Sequence, residues 1–178
     1  MFSNARHLLG SVVCGLLLCS AFGCADKTTR HPVEVSLGQQ FSKDKPRIEV
    51  VITAMNDEEG KRFAASAMSQ FFSPNNSDRL SLDRVELHFG SDQPATQGFS
   101  PASKDWDQHW KAWEARQATQ LFVMAFLPGH FDDKPGNLDA RRQMVPLWSK
   151  RWEKENQTIK FELTPANLVL LTPPKPGK

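Results

Sequence analysis

Tyrosine is absent from the 178 residues, and the three cysteines, Cys14, Cys19 and Cys24, all fall near the amino terminus. From Ala25 onward the chain therefore has no disulfide, no cysteine metal site and no thiol nucleophile, and a phenolic general acid is missing throughout. An excess of one charge is missing too. With 22 basic and 20 acidic side chains the net charge is +2, which excludes a strongly basic nucleic-acid binder as the default reading. Long apolar runs are confined to one stretch near the start, and the mean hydropathy is −0.47. Catalytic signatures are lacking as well. There is no G-x-S-x-G turn, no glycine-rich phosphate loop and no H-E-x-x-H helix.

The apolar stretch is Leu8–Phe22, 15 residues preceded by Arg6. As a helix it would extend roughly 22 Å, short of the ~30 Å hydrocarbon core, so residues 1–23 read as a removable export signal. The run ends in Ala21-Phe22-Gly23-Cys24, which resembles the lipobox of bacterial lipoproteins and implies acylation of Cys24. Acylation also disposes of an otherwise free, reactive thiol in an exported protein, and two or three acyl chains anchor far better than one. Ala25 after the cysteine is expected to favour the outer membrane.

Residues 24–32 read as an acylated tether, with His31 solvated, and residues 173–178 as a mobile, proline-rich tail. Between them, residues 33–172 are expected to form one mainly β domain, a two-sheet sandwich with two helical insertions. Val33, Val35 and Leu37 alternate with polar residues, as do Ile48, Val50 and Ile52, then Val85, Leu87 and Phe89, and later Ile159, Phe161 and Leu163. Leu121–Leu127 is apolar on both faces and reads as a central strand. Met144–Leu147 and Leu168–Leu171 complete the strands, and Ser91–Ser103 reads as a loop. Asn56 three residues before Glu59 predicts a capping box opening a helix to about Phe72. Ser103 is expected to cap a second helix whose Trp106, Trp110 and Trp113 form a core-packing stripe.

Chemistry-bearing residues are few. His109 and Asp105 are spaced as a helical surface pair. His130, Asp132 and Asp133 form a polar cluster that lacks calcium-loop spacing and reads as a turn rather than a metal site. Arg141 and Arg142, with Asp139 or Asp133, read as a surface salt-bridge patch. The expectation is no enzyme, no cofactor and no metal. In a sandwich the strands are committed to packing, so recognition falls to loops. The two candidates are His130–Asn137, with Asp132 and Asp133 as partner-binding residues, and the connection Phe72–Arg79.

The order of pieces is itself informative: VEVSL, KPRIEVVITAMND, the helical EEGKRFAASAMSQFF, then QLFVMAFLPG, RRQMVPLW and TIKFELTPANLVLLTPP. This order is similar to that of the outer-membrane lipoprotein of the type VI secretion membrane complex, the TssJ family. The resemblance implies a transthyretin-like sandwich at the outer membrane, facing the periplasm. It also implies a docking role toward an inner-membrane partner of TssM type. A small ligand- or polysaccharide-binding surface lipoprotein is the alternative, and an envelope hydrolase a more distant one. If Cys24 carries the acyl chains, Cys24→Ser will release the protein from the membrane fraction or block signal processing. Unchanged fractionation of that variant would refute acylation.

Overall fold

The structure is a computed structural model that describes residues 27–41 and 45–177. Cys24 and the signal segment lie outside the described residues. Two four-stranded sheets pack face to face. The first has the order β4–β1–β7–β8, from Thr96–Phe99, Val33–Leu37, Ile159–Leu163 and Leu168–Leu170. The second has the order β3–β2–β5–β6, from Val85–Phe89, Ile48–Met55, Gln120–Phe126 and Arg142–Pro146. All neighbours are antiparallel except β1 and β7, which run parallel with Val33 opposite Ile159. The mainly β sandwich expected from the alternating runs is the fold observed.

The apolar parity of each strand decides what lies inside. Val33 and Val35, Ile48, Val50 and Ile52, Leu121, Val123 and Ala125, and Ile159, Phe161 and Leu163 meet between the sheets. β5 is central, as its two-faced pattern predicts, because its alternate residues Phe122 and Met124 enter a second cluster on the outer face. That face is covered by α1 (Asp57–Ala64) and α2 (Met68–Phe71), whose Phe63, Met68 and Phe71 pack onto Val51 and Met55. α3 (Ser77–Ser81) follows before β3.

α1 opens with the expected capping box: the Asn56 side chain accepts from the Glu58 and Glu59 amides, and Glu59 reaches back to the Asn56 amide. The single helix expected to Phe72 is instead broken at Ala65–Ala67. The carbonyls of residues 63, 64 and 66 are claimed by a side chain from another element, described below.

α4 (Trp106–Ala115) crosses from the first sheet to the second and buries Trp106, Trp110 and Trp113 in the inter-sheet core. The stripe is a packing face, as its spacing predicts. Its cap is not Ser103, which accepts from the Ser100 amide and ends a turn; Asp105 precedes the helix without a side-chain capping bond. His109 does not pair with Asp105 either. Its Nδ1 meets Asp83 Oδ1 at 2.8 Å, while the Asp83 carbonyl accepts from Trp113 Nε1 and Thr53 Oγ1. The pair pins α4 to β2 and is structural. Within the expected loop Ser91–Ser103, Thr96–Phe99 forms the edge strand β4.

Both chain ends depart from expectation. From Lys27 the supposed tether is part of the domain: Thr28 bridges Trp148, the Thr29 amide donates to the Leu147 carbonyl, and the Ser149 amide donates to the Lys27 carbonyl. His31 is fully buried rather than solvated, with its ring against Trp152 at 4.9 Å and Nδ1 on the Gln157 carbonyl at 3.0 Å. Apolar packing against Trp152 outweighs the polarity of the segment. The tail is extended, but Lys175 is held by reciprocal bonds with Arg151.

A carbonyl only accepts, so His31 Nδ1 carries the proton, and Nε2 is buried without a partner among the described residues. Burial holds its pKa below the ordinary 6.5, against the raising effect of the Gln157 bond. The unfolded chain therefore binds a proton that the folded chain refuses. Stability is full above about 6.5 and falls as pH drops below it. Thermal melts across that range should show a decline that His31→Phe flattens; identical pH profiles would show that the imidazole is not neutral and buried.

Candidate docking site

Strand direction gives the sandwich two distinct ends. Leu37, Ile48, Phe89, Thr96 and Phe126 lie at one end, because β1 runs into β2 there and β3 turns into β4. Val33, Met55, Gln120, Pro146 and Ile159 lie at the other, beside the entering segment Lys27–Pro32. The candidate loop after β5 falls at the end opposite the entering segment. The intervening β5, seven residues long, spans about 23 Å.

The loop is held by two adjacent arginines. Arg141 is nearly buried and chelates the fully buried Asp139, with Nε on Oδ1 at 2.9 Å and Nη2 on Oδ2 at 2.8 Å. Nη2 also reaches Asp133 Oδ1 at 2.7 Å, and the guanidinium lies 5.6 Å from the Phe131 ring centre. Burial alone would raise the Asp139 pKa, but the bonds from Arg141 and from the Lys134 amide outweigh it and the net direction is down. Asp139 in turn raises Arg141, against the lowering by burial.

Arg142 is fully buried and, among the described residues, pairs with no carboxylate; its partners there are all backbone carbonyls. Nε donates to Gly136 at 3.1 Å, Nη1 to Phe63 at 3.0 Å and Ser66 at 3.3 Å, and Nη2 to Ala64 at 2.8 Å and Lys134 at 2.9 Å. A guanidinium has five N–H donors, and each is used. A cation thereby caps the carboxyl end of α1, where the helix carbonyls are unpaired and the macrodipole is negative. Burial pushes the Arg142 pKa down, partly offset by Asp139. The partners expected from sequence for Arg141 are correct, but the pair is interior rather than a surface patch.

Asp133 is engaged too. Ala67, the residue before α2, offers no side-chain cap, and Asp133 supplies one from the loop: Oδ1 accepts from the Ser69 amide at 2.8 Å and Oδ2 from Ser69 Oγ at 2.5 Å. Those two bonds, with Arg141, hold its carboxyl down to about 2. Further along, Asn137 imitates a strand partner, with Oδ1 accepting from the Met144 amide and Nδ2 donating to the Met144 carbonyl. Gly136 takes φ 53°, a left-handed conformation that favours glycine.

Asp133 thus ties the first loop selected from sequence to α2 at Ser69, just ahead of the second, Phe72–Arg79. Asp132 and His130 stay exposed, and Asp132 makes no hydrogen bond among the described residues. His130, Asp132 and Asp133 do not gather as metal ligands, and no cluster of three such residues occurs among the described residues. Sequence reading missed the apolar part of this end. Phe126 is 55% exposed with its ring against Phe72 at 5.3 Å, and Leu138 is 72% exposed. Phe126 shares the outer-face parity of Phe122 and Met124 but lies past the helical cover, a signal that parity alone could have given. A shallow cleft of about 470 Å³ adjoins it, lined in part by Arg47, Glu49 and His88.

No protein-family model and no curated protein matches the chain. Solved structures do. A chain of a type VI membrane complex aligns with TM-score 0.51 at 12% identity, over 82% of this chain and 99% of that chain. The T6SS lipoprotein TssJ1 from Pseudomonas aeruginosa aligns at 10% identity over 84% and 100% of the two chains, with TM-score 0.46. Serratia marcescens Lip, a membrane-bound component of the type VI secretion system, aligns at 13% identity over 81% and 98%, also with TM-score 0.46. All three belong to type VI secretion, and the likeness, which the first of them carries, is one of fold.

Removing a buried, hydrogen-bonded cation leaves its partners unsatisfied, so Arg142→Ala should cost about 3–5 kcal/mol. Arg142→Lys, with one point charge and three donors, should recover less than half of it. Denaturant unfolding measures both; a loss under about 1 kcal/mol in Arg142→Ala would mean that the clamp does not hold the fold.

Proposed function

We propose that this chain is a non-enzymatic envelope lipoprotein, anchored through acylated Cys24 in the outer membrane and facing the periplasm. In this reading it is a docking or scaffold subunit of a type VI secretion-like trans-envelope complex, and its partner is an inner-membrane protein of TssM type. The observation that carries the reading is the fold shared with nearly the whole of a chain from a type VI membrane complex. The polarity of the domain supports it. The described chain enters at one end, and the loop with Asp132 and Asp133 is presented at the other. The chemistry of that loop is spent on holding its own shape, which suits a preformed recognition element rather than a reacting one.

The contacts divide the roles of the two aspartates. Asp133 is a structural cap of α2, so reversing it disturbs the loop, and an undisturbed fold is expected only for Asp132. Asp132→Lys should weaken partner binding with an unchanged melting curve. Asp133→Lys should weaken binding and also lower the melting temperature. Capture from detergent-solubilised membranes, followed by a binding titration with the recovered inner-membrane protein, checks both. Equal affinities for wild type and Asp132→Lys would remove the loop from the interface. Failure to recover any inner-membrane protein would favour a ligand-binding lipoprotein instead.

A further inference from the structure

We propose that the free edge of β4, at Thr96 and Gly98, takes an extended segment of a partner protein as an added strand, with an aromatic side chain of that segment lying over Gly98. The pairing needs neither the loop of Asp132 nor acylation at Cys24.

Two four-stranded sheets have four edges, and along each the backbone groups of alternate residues point outward. Three of these edges are interrupted from within the molecule. On β6 the Ala125 amide donates to the Arg141 carbonyl and the Leu147 amide to the Thr119 carbonyl, so Arg142, Met144 and Pro146 face outward. The Arg142 amide donates to the Asp139 carbonyl, and both Met144 groups bond the Asn137 side chain. Pro146 has no amide proton, and its carbonyl accepts from Trp152 Nε1. On β8 the Leu168 amide donates to the Ala140 carbonyl, and its own carbonyl accepts from Gln143 Nε2. On β3 the His88 carbonyl accepts from Gln97 Nε2.

β4 is left open. The Leu37 amide donates to the Ala95 carbonyl, so Ala95, Gln97 and Phe99 face β1, while Thr96 and Gly98 turn amide and carbonyl outward. Both residues are exposed. Among the described residues this is the edge on which two successive outward residues are wholly unpaired. The window is closed on either side. Pro94 has no amide proton, and the Ser100 amide and carbonyl are both taken by Ser103. A partner strand thus finds three residues, roughly 10 Å of edge, to bond.

The surroundings decide what fits there. A shallow cleft of about 310 Å³ adjoins the edge, lined in part by Pro32, Val33, Glu34 and Thr158. Its charged side chain, Glu34, is paired with Lys160 at 3.0 Å, so the cleft suits a neutral group. Gly98 leaves the sheet bare beside it, because a Cβ there would stand 2.6 Å from the Val33 carbonyl oxygen. An aromatic side chain on a neighbouring strand is what covers an edge glycine. In strand addition the main chain supplies affinity and such alternate side chains supply selectivity. A second copy of this chain does not fit the role. Antiparallel self-pairing over the window sets the small Thr96 opposite Gly98, and contact along three residues falls short of the ~800 Å² per partner of a stable interface.

The test titrates the full chain, in detergent and labelled with nitrogen-15, with a blocked pentapeptide of threonines carrying tyrosine second and valine fourth. The expected result is saturable shifts and slowed exchange of the Thr96 and Gly98 amides at millimolar peptide. Replacing the tyrosine with alanine should weaken binding about two- to fivefold. Methylating the tyrosine and valine amides of the peptide should abolish it. Thr96→Pro, which removes an outward donor and no bond to β1, should abolish the response at Gly98; where that variant melts early, the methylated peptide carries the same comparison. No response at Thr96 and Gly98 at several millimolar, equal binding of the methylated peptide, or equal binding of the alanine peptide overturns the proposal. So does sedimentation as a dimer with both amides already protected before peptide is added, which would assign the edge to a second copy.

Discussion

The distal half of the domain depends on one buried cation. Arg142 is the second residue of an arginine pair at the start of β6, and its guanidinium meets five carbonyls drawn from α1, the turn after it and the loop after β5. Taking that charge out of water is costly, and the arrangement is tolerable because every donor is matched and the helix end offers negative potential. The geometry demands a planar fork. In exchange, three pieces that share no sheet bonds acquire one common fastening. With α1 fixed over β2 and β5, Phe63 seals the outer cluster of Phe122 and Met124, and the sheet is covered on both faces.

The neighbouring Arg141 works by contrasting chemistry. It is neutralised by carboxylates, one fully buried and one exposed, and through Asp133 it extends to the amino end of α2. The two arginines thus grip the two sides of the break between α1 and α2: Arg142 the carboxyl end of α1 directly, Arg141 the amino end of α2 through Asp133. The loop between β5 and β6 is rigid for this reason and not because of its own composition, which is proline, glycine and charge. What it leaves outward, Asp132 and Leu138 with nearby Phe126, is small, specific in shape and mixed in character, as recognition surfaces commonly are.

Much of the fold was legible because alternation is a local signal. Val33 with Val35, Ile48 with Val50 and Ile52, and the two-faced run at Leu121 each announce a strand and its burial, and Asn56 with Glu59 announces a helix start. The candidate site was legible only as an address. Its loop could be picked out by composition, but the role of Asp133 depends on Ser69, 64 residues away, and the partners of Arg142 are backbone carbonyls, which any sequence supplies. Such partners leave no trace in residue type. The same holds for His31, whose burial depends on Trp152, and for β4, a four-residue edge strand containing Gly98 that takes its pairing from β1.

The parallel pairing of β1 with β7 bears on the order of assembly. β1 is the first strand of the described chain, yet it sits in the middle of its sheet, between β4 and β7. His31 waits for a carbonyl 126 residues downstream. For a chain emerging amino terminus first, the outer-face cluster and the β2–β5–β6 ladder close while β1 still lacks one of its neighbours. The first sheet is completed only when almost the whole chain is present, a high-contact-order step of the kind that slows folding. The entering segment Lys27–Pro32 is therefore the last to lock. Until it does, β1 presents one open apolar edge, a template on which a stray strand can pair.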